Sequence, residues 1–309
     1  MINVLLSAPR SYWDAYAPLL PKACAKLGQK IDLRQDHAPE DVDYIVYAPN
    51  KALTDFRQFT RCKAVLSLWA GVETIAPNAT LTQPLARLVD TGLTQGMVEW
   101  VTGHVLRHHL GIDRHINAQS RSWTHIVPPL ASERKVTILG LGELGSACAR
   151  SLAALGFEVT GWSQSRKEIP GVRCLWGSEA LRLALETAEI LVLLLPLTAQ
   201  TENLLDKERL ALLPKGAVVI NPGRGGLIDD AALLAALESG RVGHATLDVF
   251  RIEPLPQDHP YWAHPNVTVT PHIASATRPE TAVAQIAENI RRGEAGLPLL
   301  NLVDRARGY

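Results

Sequence analysis

Three ionisable side chains stand just after short apolar runs in the second half of the chain. Arg224 lies in Val219-Ile-Asn-Pro-Gly-Arg224-Gly-Gly, Glu253 in Leu247-Asp248-Val-Phe-Arg-Ile-Glu253-Pro, and His272 in Val267-Thr-Val-Thr-Pro-His272-Ile-Ala-Ser275. A histidine changes charge near neutral pH and can deliver a proton. A carboxylate can hold its ring and favour the protonated form. An arginine is always charged and grips carboxylate or carbonyl oxygens with a forked geometry. Singly, each has a plain reading: a capping or core histidine, a loop charge, a salt-bridge partner. As three successive strand ends of one parallel sheet, they converge on the edge where such sheets bind ligands.

A redox cofactor for that set is written earlier in the chain. Lys135–Leu139 reads as a strand and runs into Gly140-Leu-Gly142-Glu143-Leu144-Gly145, followed by a helical stretch and a second strand, Glu158–Trp162. The spacing is GxGxxG in its required context. The first glycine permits the tight turn and the second lets a pyrophosphate approach the backbone. The third lets helix and strand pack closely. NAD sites place an acid at the end of the second strand. Here the stretch is Trp162-Ser163-Gln164-Ser165-Arg166-Lys167, and no acid occurs before Glu168. Hydroxyls and cations suit a 2′-phosphate, so NADPH/NADP is expected, with NADH a weaker second. The alternative is a solvated basic loop. The expected cofactor positions are Gly140, Gly142, Glu143, Leu144, Gly145, Trp162, Ser163, Ser165, Arg166, Lys167, Pro196 and Asp248, the last read as a support and not as the proton donor.

The elements that must position these residues alternate regularly. Strands are expected at Ile2–Ser7, Tyr44–Ala48, Ala64–Leu68, Lys135–Leu139, Glu158–Trp162, Ile190–Leu195, Ala217–Asn221, Ala245–Val249 and Val267–Thr270. Helices are expected over Asp14–Leu27, delayed or kinked by Pro18 and Pro21, then over about Met97–Ser120, Ser146–Leu155, Glu179–Thr187, Asp206–Leu212, Asp230–Ser239 with Gly240 as its cap, and Glu280–Arg292. This rhythm predicts an α/β fold with parallel sheets. The Gly-rich stretch Asp90–Gly96 reads as a break and a domain boundary, and Ser122–Glu133 as a loop.

Composition narrows the function further. The 309 residues carry 31 basic and 31 acidic side chains, a net charge of zero, which argues against bulk binding to nucleic acid or an acidic membrane. Cys24, Cys62, Cys148 and Cys174 form no CxxC pair, so four free thiols in a reducing compartment are expected. The N-terminus reads as a strand and not as a signal peptide, and the most apolar run, Ile190–Leu195, is too short to span a bilayer. A cytoplasmic protein is the expectation. His104, His108 and His109 lie in a helical stretch with no acid or cysteine to complete a site, so no metal is expected.

The motifs GLGELG, NPGRG, DVFRIEPLP and TPHIAS, in that order, resemble the D-2-hydroxyacid dehydrogenases, and the resemblance covers essentially the whole chain. Within that family the WSQSRK loop and the terminal VDRARGY are most similar to the bacterial glyoxylate/hydroxypyruvate reductase A group. The resemblance implies a Rossmann-type doubly wound coenzyme domain inserted in a flavodoxin-like substrate domain. Residues 1–93 would begin the substrate domain, 94–276 would form the dinucleotide-binding domain, and 277–309 would return to the first. It implies that Arg224 binds the substrate, Glu253 holds His272 and His272 gives the proton. The substrate would be a small 2-oxoacid such as glyoxylate or hydroxypyruvate. It also implies that Trp69, Ala70 and Gly71 belong to a loop gripping the substrate carboxylate, and that the chain is a homodimer packed through the region after Met97. Trp69 and Glu73 stand where many members carry Gly and Asp, Pro222 and Gly223 replace the usual pair before the arginine, and Gln164 stands where related reductases often have Arg. Trp69 can roof a small pocket, stack on a larger acid or pack in the core. Two alternatives therefore stay open: a dehydrogenase of larger D-2-hydroxy acids, and a non-catalytic NAD(P)-sensing interaction protein of the same fold.

Overall fold

Strands buried on both faces read as unbroken apolar runs, and Ile190–Leu193 is buried at every position. The computed structural model describes residues 1–116, 123 and 125–309. These divide into two compact units: residues 1–93 with 276–309, and residues 94–275.

The first unit begins with β1 (Ile2–Ser7), α1 (Arg10–Tyr16), α2 (Leu20–Lys26), β2 (Ile31–Arg34), β3 (Tyr44–Tyr47), β4 (Ala64–Ser67) and β5 (Leu85–Ala86). The strands pair in the order β2-β1-β3-β4-β5, all parallel, which is the flavodoxin-like order. Alternate residues point to opposite faces. Val4, Leu6, Val46 and Leu66 pack with Tyr16, Leu20 and Cys24, and Leu5, Ile45 and Val65 pack with Phe56, Phe59 and Leu81.

Two expectations need correction at the start of the second unit. The stretch read as a break, Asp90–Gly96, is helical from Thr91 onward. It opens α3 (Thr91–His109), where Asp90 Oδ1 accepts the Leu93 N–H at 3.0 Å as an N-cap. Gly96 is there for close packing: a Cβ would lie 3.0 Å from Ser275 Oγ. Nor does one helix run to Ser120. Gly111, at φ +65°, ends α3, and a short α4 (Ile112–Ile116) follows. The rest of that predicted helix, and residues 122 and 124 of the predicted loop, lie outside the described residues.

Beyond lie β6 (Lys135–Leu139), α5 (Glu143–Ala154), β7 (Glu158–Ser163), β8 (Arg173–Trp176), α6 (Ser178–Glu186), β9 (Ile190–Leu193), α7 (Lys207–Leu212), β10 (Ala217–Asn221), α8 (Asp230–Glu238), β11 (Val242–Leu247) and β12 (Val267–Val269). The order β12-β11-β10-β9-β6-β7-β8, again wholly parallel, is that of a doubly wound nucleotide-binding sheet with one further strand. One face packs Val136, Ile138 and Val192 with Met97, Val101, Cys148 and Leu152. The other packs Leu191, Leu193 and Val219 with Leu185, Leu210 and Leu233. The chain then returns to the first unit as α9 (Pro279–Glu294), whose Val283, Ile286 and Ile290 complete the core around Tyr16 and Leu20.

The expected helix over Asp14–Leu27 is instead two helices, because Pro18 falls between them and Pro21 sits in the first turn of α2. Helix α5 begins at Glu143, three residues ahead of expectation, so Gly145 is inside it.

Candidate active site

In a parallel sheet every strand ends on the same edge. β6, β7, β9, β10, β11 and β12 therefore deliver their following loops to one rim of the second unit. The strand order reverses between β6 and β9, where such sheets bind nucleotides.

At that point the glycine loop has the shape a dinucleotide needs. Gly140 adopts φ +105°, and a Cβ there would meet the Leu194 carbonyl. A Cβ on Gly145 would strike the Gly140 carbonyl, so helix and loop are as close as backbone allows. Gly142 faces open space, with nothing within 4 Å of a Cβ, and no side chain caps the start of α5. The first-turn N–H groups of Glu143, Leu144 and Gly145 belong to a helix N-terminus that favours a pyrophosphate. The residues present thus fit the cofactor.

The next loop departs in part from expectation. Trp162 is 5% exposed and its indole N–H donates to the Gly177 carbonyl at 2.8 Å, so it braces the loop from inside. The Ser163 hydroxyl is buried and donates to the Ser165 carbonyl at 2.7 Å. Ser165, Arg166 and Lys167 are exposed and offer the groups a phosphate would meet. Pro196 follows β9, half-buried, its carbonyl accepting from Thr201 Oγ1 at 2.7 Å.

Arg224 follows β10 on a loop fixed by Asn221, whose side chain donates to the Arg224 carbonyl at 2.9 Å and accepts the Gly223 N–H at 3.0 Å. Arg224 Nη1 donates to the Gly223 carbonyl at 2.6 Å. A Cβ on Gly225 would collide with the Phe250–Arg251 backbone, so this loop lies directly against the one carrying Glu253. Glu253 is held in turn: Oε1 accepts the Phe250 N–H at 2.9 Å, and Oε2 lies 2.7 Å from His272 Nδ1. The imidazole is half exposed. His272 has φ +52°, a left-handed conformation that strains an ordinary residue and that surrounding contacts must enforce.

Those contacts come from Asp248, the residue read from the sequence as a support. It is fully buried, and its carboxylate accepts from Thr270 Oγ1 at 2.6 Å, Ile273 N at 2.9 Å and Ala274 N at 2.8 Å. It supports the His272 loop. Sequence reasoning missed Arg251 altogether. Its guanidinium donates to the Ile228 carbonyl at 2.6 Å and to Asn203 Oδ1, and pairs with Asp230 at 3.7 Å, tying the far side of the Arg224 loop to the Glu253 loop. An arginine four residues after a strand gives no such signal by itself.

Away from this rim, His108 Nε2 lies 2.8 Å from Thr246 Oγ1 and His244 Nε2 lies 2.8 Å from Thr268 Oγ1, with the rings 4.9 Å apart. Burial, with the neighbouring imidazole and Arg107, pushes His108 down to about 3. Burial and Arg107 push His244 to about 4. Burial also lowers His104 and His109. Among the described residues no three His, Cys, Asp or Glu side chains gather as a metal site. In the first unit, Trp69 is 40% exposed and its indole N–H donates to the Tyr12 hydroxyl at 3.0 Å, so it is not a core side chain. Ala70 and Gly71 follow it, half-buried.

Residues 102–274 match the family described as D-isomer specific 2-hydroxyacid dehydrogenase, NAD binding domain. The chain is 40% identical over 298 residues to the glyoxylate/hydroxypyruvate reductase A of Serratia proteamaculans, covering 94% of this chain and 93% of that one. The fold is similar to that of a D-isomer specific 2-hydroxyacid dehydrogenase from Xanthobacter autotrophicus Py2 in complex with NADPH and MES. That similarity has a TM-score of 0.92 and 42% identity, covering 100% of this chain and 99% of the other. It is also similar to an NADPH-dependent glyoxylate/hydroxypyruvate reductase from Sinorhizobium meliloti in complex with NADP and sulfate, with a TM-score of 0.84 and 34% identity over 100% of both chains.

Proposed function

The chain belongs to the D-isomer specific 2-hydroxyacid dehydrogenases, and on that premise we propose that this oxidoreductase uses NADPH to reduce small 2-oxoacids, glyoxylate and hydroxypyruvate foremost. The observation that carries the reading is the 2.7 Å contact of His272 Nδ1 with Glu253 Oε2, on a loop that abuts the Arg224 loop. Glu253 fixes the ring through Nδ1, which leaves Nε2 to hand a proton to the substrate carbonyl oxygen. Arg224 binds the carboxylate and polarises the carbonyl with its forked guanidinium. Bound at the glycine loop, NADPH supplies the hydride for C2.

The reading assigns Ser165, Arg166 and Lys167 to the 2′-phosphate, with the buried Ser163 hydroxyl shaping their loop, and Trp69, Ala70 and Gly71 to substrate binding. A second reading, larger D-2-hydroxy acids, is favoured by the exposed Trp69 indole pinned by Tyr12. The homodimer expectation is supported by exposed Ile112, Ile116, Val127 and Leu130 along the segment after α3. A cytoplasmic setting is supported by four free cysteines, and no described helix is long and apolar enough to cross a membrane.

Purified protein mixed with glyoxylate or hydroxypyruvate, with NADPH and NADH followed in parallel, tests this. Fast NADPH oxidation with slow NADH oxidation is the expected result. Equal rates would retract the cofactor preference. Activity confined to larger 2-oxoacids would favour the second reading, and no oxidation of any 2-oxoacid would overturn both.

A further inference from the structure

The Arg166 guanidinium sits 5.3 Å from the centre of the Trp176 ring, and its Nη2 donates to Glu168 Oε1 at 2.8 Å. Trp176 ends the edge strand β8, and that strand end is fixed. The Gly177 N–H donates to the Ser163 carbonyl at 3.2 Å, and the Trp162 indole N–H donates to the Gly177 carbonyl at 2.8 Å. The face under Arg166 is therefore anchored to β7, while Arg166 and Glu168 stand in solvent with side chains 66% and 80% exposed.

We propose that Trp176 and Glu168 set the strength of this loop's preference for a 2′-phosphorylated dinucleotide, acting on Arg166 with opposite sign. The inference rests on the assignment of Ser165–Lys167 to the 2′-phosphate. Trp176 holds the guanidinium by cation–π contact, so less of the arginine's freedom is lost when a phosphate arrives. Glu168 occupies the same guanidinium N–H that the phosphate needs, and its charge repels the incoming dianion. A 2′-hydroxyl needs no guanidinium and meets no repulsion, so NADH binding is nearly indifferent to both residues. Neither Trp176 nor Glu168 touches the reacting atoms: both are specificity residues acting through Arg166.

The test is calorimetric titration of the intact protein with NADPH and with NADH. Trp176→Ala should lower the ratio of NADPH to NADH affinity about two- to fivefold, and Trp176→Phe should recover most of that loss. Glu168→Gln should raise the ratio by a similar two- to fivefold, an effect that shrinks as salt is added. Arg166→Ala is the reference, with a larger fall. An unchanged ratio in Arg166→Ala would overturn the phosphate assignment itself. A fall in Arg166→Ala with no change in Trp176→Ala or Glu168→Gln would overturn this inference and leave that assignment standing. Equal loss of NADPH and NADH affinity in Trp176→Ala would also overturn it.

Discussion

Asp248 carries the backbone of His272: its carbonyl accepts the His272 N–H at 2.8 Å, and its buried carboxylate accepts the next two backbone N–H groups. Asp248→Asn keeps the volume but replaces one acceptor oxygen with a donor facing an N–H. Loss of stability on the order of 1–3 kcal/mol is expected, read from urea unfolding. A fall in kcat of at least about tenfold should accompany it, with NADPH affinity nearly unchanged. Wild-type kcat in a folded variant would remove Asp248 from the machinery.

His272 and Arg224 should fail differently. His272→Ala removes the proton donor, so kcat should drop about 10²- to 10⁴-fold while NADPH still binds. Arg224→Ala should chiefly raise KM for the 2-oxoacid. Glu253→Gln keeps a hydrogen-bond acceptor at Nδ1 without the charge and should fall between wild type and His272→Ala. Near-wild-type turnover in both His272→Ala and Arg224→Ala would sink the assignment.

Arg251→Ala should release the Gly225–Ile228 segment from the Glu253 loop, since the ties to the Ile228 carbonyl and Asn203 go with the guanidinium. A misplaced Arg224 should then raise KM for the 2-oxoacid on the order of tenfold. Arg251→Lys, which keeps the charge but not the fork, should recover only part. If KM is untouched while the melting temperature falls, the residue is structural only.

Acid should weaken the second unit through His108 and His244. Both are depressed by burial, to about 3 and about 4, against an unfolded value near 6.5. Above pH 6.5 neither state takes up a proton and these groups add no slope. Below it the unfolded chain binds protons that the folded one refuses, so stability falls toward pH 4. The limit is roughly 1.4 kcal/mol per pH unit for each histidine. Urea midpoints from pH 7.5 to 5 measure this slope, and His108→Gln should flatten it. Identical slopes in variant and wild type would refute the account.

The central strands were legible because burial on both faces writes itself as an apolar run, as in Ile190–Leu193. β2, β5 and β8 were missed because they are short: Ile31–Arg34 is only partly buried, Leu85–Ala86 has two residues, and Arg173–Trp176 is a half-exposed edge. Gly92 and Gly96 read as punctuation, yet they are packing glycines inside a helix, and nothing local separates the two uses. The proposed site is legible where the reading gives the side chain itself the task, as with Arg224, Glu253 and His272. Asp248 and Arg251 act on carbonyls and N–H groups brought near by strand order, and no spacing in the sequence records that.

The cysteines give the protein a built-in clock for its own opening. Cys24 and Cys62 are buried in one unit and Cys148 in the other, and burial pushes each thiol up to about 12, while Cys174 is partly accessible. A thiolate-seeking reagent therefore finds Cys174 in the native state but reaches the others only when their own unit loosens. Two halves of one polypeptide can thus be timed separately, in one tube, with one reagent.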